Sequence, residues 1–228
     1  MFTKAECAKC ALKADKRACR VKDGNGPDFC PTKYKQEVIE RAKQVYQDPG
    51  IYEFARQSSI QEAQCYVNRD RKPPVRQPVK PRLKEIIEFA QKMDYKKLGL
   101  AYCAGLQSEA GKLCKVLEFH DFEVASVVCK VGCTPKEFIG VGQDEKVRIG
   151  EYESMCSPIA QAEILNEAGT DFNILLGLCV GHDSLFFKYT DAMTTVFAVK
   201  DRVLGHNSLA ALYTLDSYYE SLIKIKDQ

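Results

Sequence analysis

Three apolar runs of strand length in this chain each end on a cysteine with a glycine close behind. Leu98 to Tyr102 delivers Cys103, followed by Gly105. Val124 to Val128 delivers Cys129, followed by Gly132 and Cys133. Phe172 to Leu178 delivers Cys179, followed by Gly181 and His182. Runs this apolar are typical of strands buried in a parallel sheet. In an open α/β sheet, ligands bind outside the carboxyl ends of the strands. One cysteine there packs as a small hydrophobe. Three in equivalent places predict a thiolate-lined crevice, and such a crevice predicts a soft metal or an iron–sulfur cluster.

The surrounding pattern supports the same fold class. Strands are expected at 97–103, 122–130, 172–179 and 194–200, with helices at 107–119, 158–168, 183–190 and 207–224, the last broken near Asp216. Alternating strands and helices predict an α/β domain with a small parallel, doubly wound sheet. The simplest order of the four strands is 2-1-3-4. Its switch point lies between the strands ending at Cys103 and Cys179. Ahead of the sheet, residues 1–32 read as a cysteine-rich loop. Helices are expected at 33–47, 51–69 and 82–93, with Asp48-Pro49-Gly50 as an interruption. The segment 71–81 holds four prolines and reads as the linker. The expected division is a cysteine-rich, helical region over 1–80 and an α/β domain over 81–228.

Composition narrows the function. Residues 1–96 hold 21 Lys/Arg against 13 Asp/Glu, and residues 97–228 hold 12 against 18. The basic half surrounds cysteines that would be anionic, and no basic run is interleaved with aromatics, so nucleic acid is not an expected partner. No stretch approaches the roughly 18 apolar residues of a membrane span, and the amino terminus has no apolar signal core. The expected compartment is the cytoplasm, where thiols stay reduced. Eleven cysteines there point to metal ligands more than to disulfides.

Four of them, Cys7, Cys10, Cys19 and Cys30, fall within 24 residues as C-x2-C-x8-C-x10-C-P. The proline after the last cysteine resembles the bacterial ferredoxin run, and seven Lys/Arg from Lys4 to Lys22 would offset the ligand charge. A [4Fe–4S] cluster is the expected occupant of this first site, with structural zinc as the rival, since thiolates suit both.

The second site is expected at the sheet edge, on Cys103, Cys129, Cys156 and Cys179. Cys133 and His182 are candidate neighbours. Gly105, Gly132 and Gly181 would let the backbone approach a bound group. Cys156-Ser157-Pro158 reads as a thiol just before a helix N-cap, where its pKa falls. Cys114 and Cys65 read as core, and His120 and His206 as surface or capping residues. His182 could equally open its helix beside Asp183.

Familiar nucleotide signatures fail. Gly105 to Lys112 has one residue too many for a phosphate loop and Leu113 where Ser or Thr should follow. Gly140-Val-Gly142 lacks a third glycine. A cysteine nucleophile, Cys156 or Cys179 with His182 as base, stays open.

The segments Tyr102 to Leu106, Val128 to Gly132, Cys156 to Asn166, Gly177 to Phe186 and Lys200 to Asn207 resemble the DUF1847 family, prokaryotic proteins, many from anaerobes, usually labelled only as metal-binding. The resemblance spans nearly the whole chain and implies metal binding without naming a substrate. The layout is also similar to hybrid-cluster proteins and nickel–iron carbon monoxide dehydrogenases, at the level of fold alone. The resulting expectation is an iron–sulfur protein with two metal sites, used for redox or small-molecule chemistry with a redox partner protein. Alternatives are a zinc-stabilised thiol enzyme and a non-catalytic metal sensor or carrier.

Overall fold

The computed structural model describes residues 4–73 and 75–225. The chain divides into two compact units, Met1–Gln64 and Cys65–Gln228. In the first, short turns are followed by helices α1 (Pro31–Tyr34), α2 (Gln36–Val45) and α3 (Pro49–Gln64). The expected interruption at Asp48-Pro49-Gly50 is instead a helix start. Asp48 Oδ1 accepts the Ile51 N–H at 2.9 Å, and Pro49 occupies the first turn, where its missing N–H costs nothing.

The boundary falls at 64/65 rather than 80/81. Strand β1 (Tyr66–Val67) pairs antiparallel with β2 (Gln77–Pro78), and the Val79 N–H donates to the Cys65 carbonyl at 2.9 Å. Gln77–Val79 is thereby paired back onto Cys65–Val67 within the second unit. This pairing also ends α3 five residues before the expected 69.

The second unit continues with α4 (Arg82–Lys92), β3 (Lys97–Tyr102), α5 (Gln107–Phe119), β4 (Glu123–Val128), α6 (Pro158–Glu167), β5 (Phe172–Leu176), α7 (His182–Tyr189), β6 (Thr194–Ala198), α8 (Leu209–Tyr213) and α9 (Ser221–Lys224). The last expected helix is broken by turns over 214–220. The four longer strands form one parallel sheet in the order β4-β3-β5-β6, the expected 2-1-3-4. Every residue of central β5 is buried, as are the last five of β3. Ala162 and Leu165 of α6 and Phe186 of α7 pack on one face with Ala101 and Leu175. Each such large side chain contributes about 1.5–3 kcal/mol when fully buried.

Two buried amides tie helices and strands together. Gln161 of α6 donates to the carbonyls of Tyr102 and Val127, bridging β3 and β4 just below their carboxyl ends. Asn173 of β5 accepts from Thr170 Oγ1 and donates to Thr190 Oγ1. Asn173 has room only because its neighbour in β3 is Gly99: a Cβ there would lie 1.9 Å from Asn173 Oδ1.

Candidate functional site: a four-thiol cavity at the carboxyl edge of the sheet

The carboxyl ends of the strands are pinned in steps. The Cys103 N–H donates to Leu176, Cys129 to Tyr102, and Ser157 to Cys129, at 3.0, 2.8 and 2.7 Å. These bonds bring Cys103, Cys129 and Cys156 to one edge. Gly177, at φ +69, turns the chain after β5, and Cys179 then leads into α7, its carbonyl accepting the His182 and Asp183 N–H groups. All four thiols and His182 line a single cavity of about 600 Å³.

The thiols form a hydrogen-bonded chain. The Cys129 and Cys156 sulfurs are 3.7 Å apart, and the Ala104 N–H points at Cys129 Sγ at 3.3 Å. Cys129 also bonds Cys103, and Cys156 bonds His182. The proton stays on Cys129: its pKa is raised by its bonds to Cys103 and Cys156 and by burial. Cys103 is lowered by its bond with Cys129 and further by Lys200. Cys156 is lowered to about 4 by Cys129 and His182, and His182 is raised in return by Cys156. Arg202 Nη2 donates to Cys179 Sγ at 3.2 Å. Cys103 and Cys156 are thus biased towards thiolate beside the Cys129 thiol, with His182 biased towards its protonated form and Lys200 and Arg202 flanking them.

The far wall is a loop, and nothing in the residue pattern announced it. Its ends are joined where the Met155 N–H donates to Thr134 and the Lys136 N–H to Glu153. It supplies Lys136, Ile139, Val141, Glu145, Val147, Glu153 and Met155 to the cavity. Lys136 and Glu153 pair at 2.9 Å, which holds the Glu153 carboxyl down to about 2. Buried Lys146 clasps the loop from inside, donating to Glu137, to Gln143 Oε1 and to the Glu151 carbonyl. Lys146→Ala is expected to open the loop alone. Hydrogen bonds to a charged group contribute about 1.5–3 kcal/mol, so amide exchange over 134–155 should quicken about tenfold or more, with β3 and β5 unchanged by mass spectrometry.

Lys130, Lys200 and Arg202 were also not expected in the site. The signal for the last two is positional: they follow β6 as Cys179 follows β5. Of the candidate neighbours, His182 lines the cavity and Cys133 does not; the Cys133 thiol is exposed and contacts the Tyr152 hydroxyl at 3.3 Å. Gly105 lies on the cavity wall, whereas Gly132 (φ +86) and Gly181 (φ +83) turn the chain. Cys65 is buried and Cys114 half-buried, with its thiol raised by desolvation. His120 caps the end of α5, and His206 Nδ1 accepts the Asp201 N–H.

In the first unit, Cys7 opens a short turn closed by the Cys10 N–H on the Cys7 carbonyl, and Cys30 immediately precedes α1. Cys30 Sγ packs against Gly26, only 2.6 Å from where a Cβ on that residue would stand. Among the described residues 4–32 only Gly24 is buried.

The donor chemistry of the cavity fits a thiophilic metal. Two sulfurs bound at 2.3 Å to one tetrahedral ion stand about 3.8 Å apart, and the Cys129–Cys156 separation meets that value. The closure is incomplete: among the described residues no three Cys, His, Asp or Glu side chains are gathered to hold a metal ion.

The chain matches the DUF1847 family, described as a protein of unknown function, over residues 30–197. It is 47% identical over 185 residues to a protein of Methanocaldococcus jannaschii described as uncharacterized, covering 81% of this chain and 87% of that one. The chain belongs to the DUF1847 family. No solved structure matches it. No helix among the described residues is long and apolar enough to cross a membrane.

Proposed function

We propose that the cavity is a thiolate site for a metal centre, an iron–sulfur cluster first among the candidates, with Cys103, Cys129, Cys156 and Cys179 as its ligand set. The observation that carries this reading is the convergence of four thiols, from four separate stretches of chain, on one cavity edged by Lys130, Lys200 and Arg202. Packing alone does not call for four sulfurs facing one open space. When bound, a cluster would supply one-electron redox chemistry. The protein's own part is to favour the thiolates of Cys103 and Cys156 and to offset ligand charge with Lys200 and Arg202, while the Ala104 N–H points at the Cys129 sulfur. Hydrogen bonds to ligand sulfurs and nearby charge tune such centres.

A second centre on Cys7, Cys10, Cys19 and Cys30 belongs to this reading. Its support is the near-absence of buried side chains around them, since metal binding can supply folding energy to a segment without a core. The eleven free thiols fit a reducing compartment such as the cytoplasm. A second reading, a thiol enzyme, is favoured by one contact, the Cys156–His182 hydrogen bond, which supports Cys156 as nucleophile.

Anaerobic purification with metal and acid-labile sulfide analysis and EPR separates these readings. Iron with matching sulfide is expected, falling by about half or more in a Cys156→Ser/Cys179→Ser variant, because each lost ligand weakens the site. Zinc without sulfide would overturn the cluster reading, and absence of any metal would leave the thiol enzyme.

A further inference from the structure

Beyond metal binding, we propose that Cys156 and Cys129 form a dithiol–disulfide couple that exchanges two electrons with a low-molecular-weight disulfide entering the cavity. Two observations carry this. The two sulfurs are 3.7 Å apart. The backbones are one hydrogen bond apart, Ser157 N–H to Cys129 carbonyl at 2.7 Å. In a sheet, hydrogen-bonded backbones run roughly 4.7–4.9 Å apart, a spacing within the roughly 4.4–6.8 Å Cα separation that a disulfide spans. Side-chain rotation is the movement that takes sulfurs 3.7 Å apart towards the roughly 2.05 Å of a disulfide.

Exposure assigns the roles. Cys156 is half-buried and faces the cavity, while Cys129 is 2% exposed behind it. Cys156 Sγ attacks one sulfur of the small disulfide, forming a mixed disulfide and expelling one small thiolate. Cys129 Sγ then gives up its proton to that thiolate and attacks Cys156 Sγ. The mixed disulfide breaks, the Cys129–Cys156 bond forms, and the second small thiolate leaves. The protein dithiol loses two electrons and the small disulfide becomes two thiols. Cys103 also bonds Cys129 and has its own backbone link to it through Tyr102, whose carbonyl accepts the Cys129 N–H at 2.8 Å, so a Cys103–Cys129 bond is the competing outcome of the test.

The test uses the full chain, treated anaerobically with chelator and then with 2-hydroxyethyl disulfide. Two small thiols should be released per chain, and peptide mapping should find Cys129 joined to Cys156. In Cys129→Ser the release should drop to one, with a mixed disulfide persisting on Cys156. A Cys103–Cys129 link in the native sequence, or a lasting mixed disulfide on Cys156, would overturn the couple even if the variant failed to fold. Metal content, measured before chelation, reports separately on the metal reading.

Discussion

Alkylation of Cys156 in chelated protein is expected to run at a nearly constant rate from about pH 6 to about pH 8. An ordinary thiol would speed up about tenfold per pH unit over that range. The cause is the pair of hydrogen bonds from Cys129 and His182 that lowers Cys156 to about 4. Its thiolate therefore persists until the pH falls towards that value, while His182, raised by the same contact, keeps its proton towards neutrality. Two effects oppose each other in the absolute rate. At pH 6 the thiolate fraction is about a thousandfold above that of a thiol at 9, yet nucleophilicity falls by about a hundredfold over five pKa units. The net advantage at pH 6 is about tenfold, so the flat profile is the larger signal. His182→Ala should move the break upward and restore part of the slope. With a metal centre in place, labelling of Cys156 and Cys179 should be slow until chelation. Fast labelling of one cysteine in fully metallated protein, lost in His182→Ala, would favour the thiol enzyme.

Gly99→Ala should destabilise the second unit by about 3–5 kcal/mol, the sum of overpacking and weakened buried hydrogen bonds. The new methyl would stand 1.9 Å from Asn173 Oδ1 and 3.0 Å from Leu165 Cδ1. Asn173 is fully buried and tethered at both ends by Thr170 and Thr190, so it cannot swing away. Against a typical total stability of about 5–15 kcal/mol, that loss would be plain in the urea midpoint. Asn173→Ala removes the obstruction, so the double variant should be less damaged than the sum of the two singles. Strict additivity would show that the contact does not limit packing.

The sheet was legible because β3 after Lys97 and β5 apart from Asn173 are apolar runs, buried on both faces, and local pattern suffices for such strands. Their order followed from the shortest right-handed connections. The thiols at the strand ends were legible for the same reason: once Leu98–Tyr102 and Phe172–Leu176 are strands, Cys103 and Cys179 must lie at or just beyond the carboxyl edge. Less was legible where meaning depends on partners. Asp48-Pro49-Gly50 serves equally as a breaker or a helix start, and only the Asp48 bond to Ile51 decides it. The hairpin of Tyr66–Val67 with Gln77–Pro78 carries no periodic signal, being two residues long on each side.

The amino-acid sequence by itself determined the parallel α/β sheet, its strand order and the delivery of cysteines to one edge, because strand period and chain connectivity are local properties. Tertiary structure alone decided which thiols share protons, that the loop over 134–155 forms the far wall around Lys146, and that Lys200 and Arg202 stand against Cys103 and Cys179. It also turned Cys133 away from the cavity and towards Tyr152. Charge and hydrogen-bond relations of this kind depend on distances between residues tens of positions apart, and only the folded chain sets those distances.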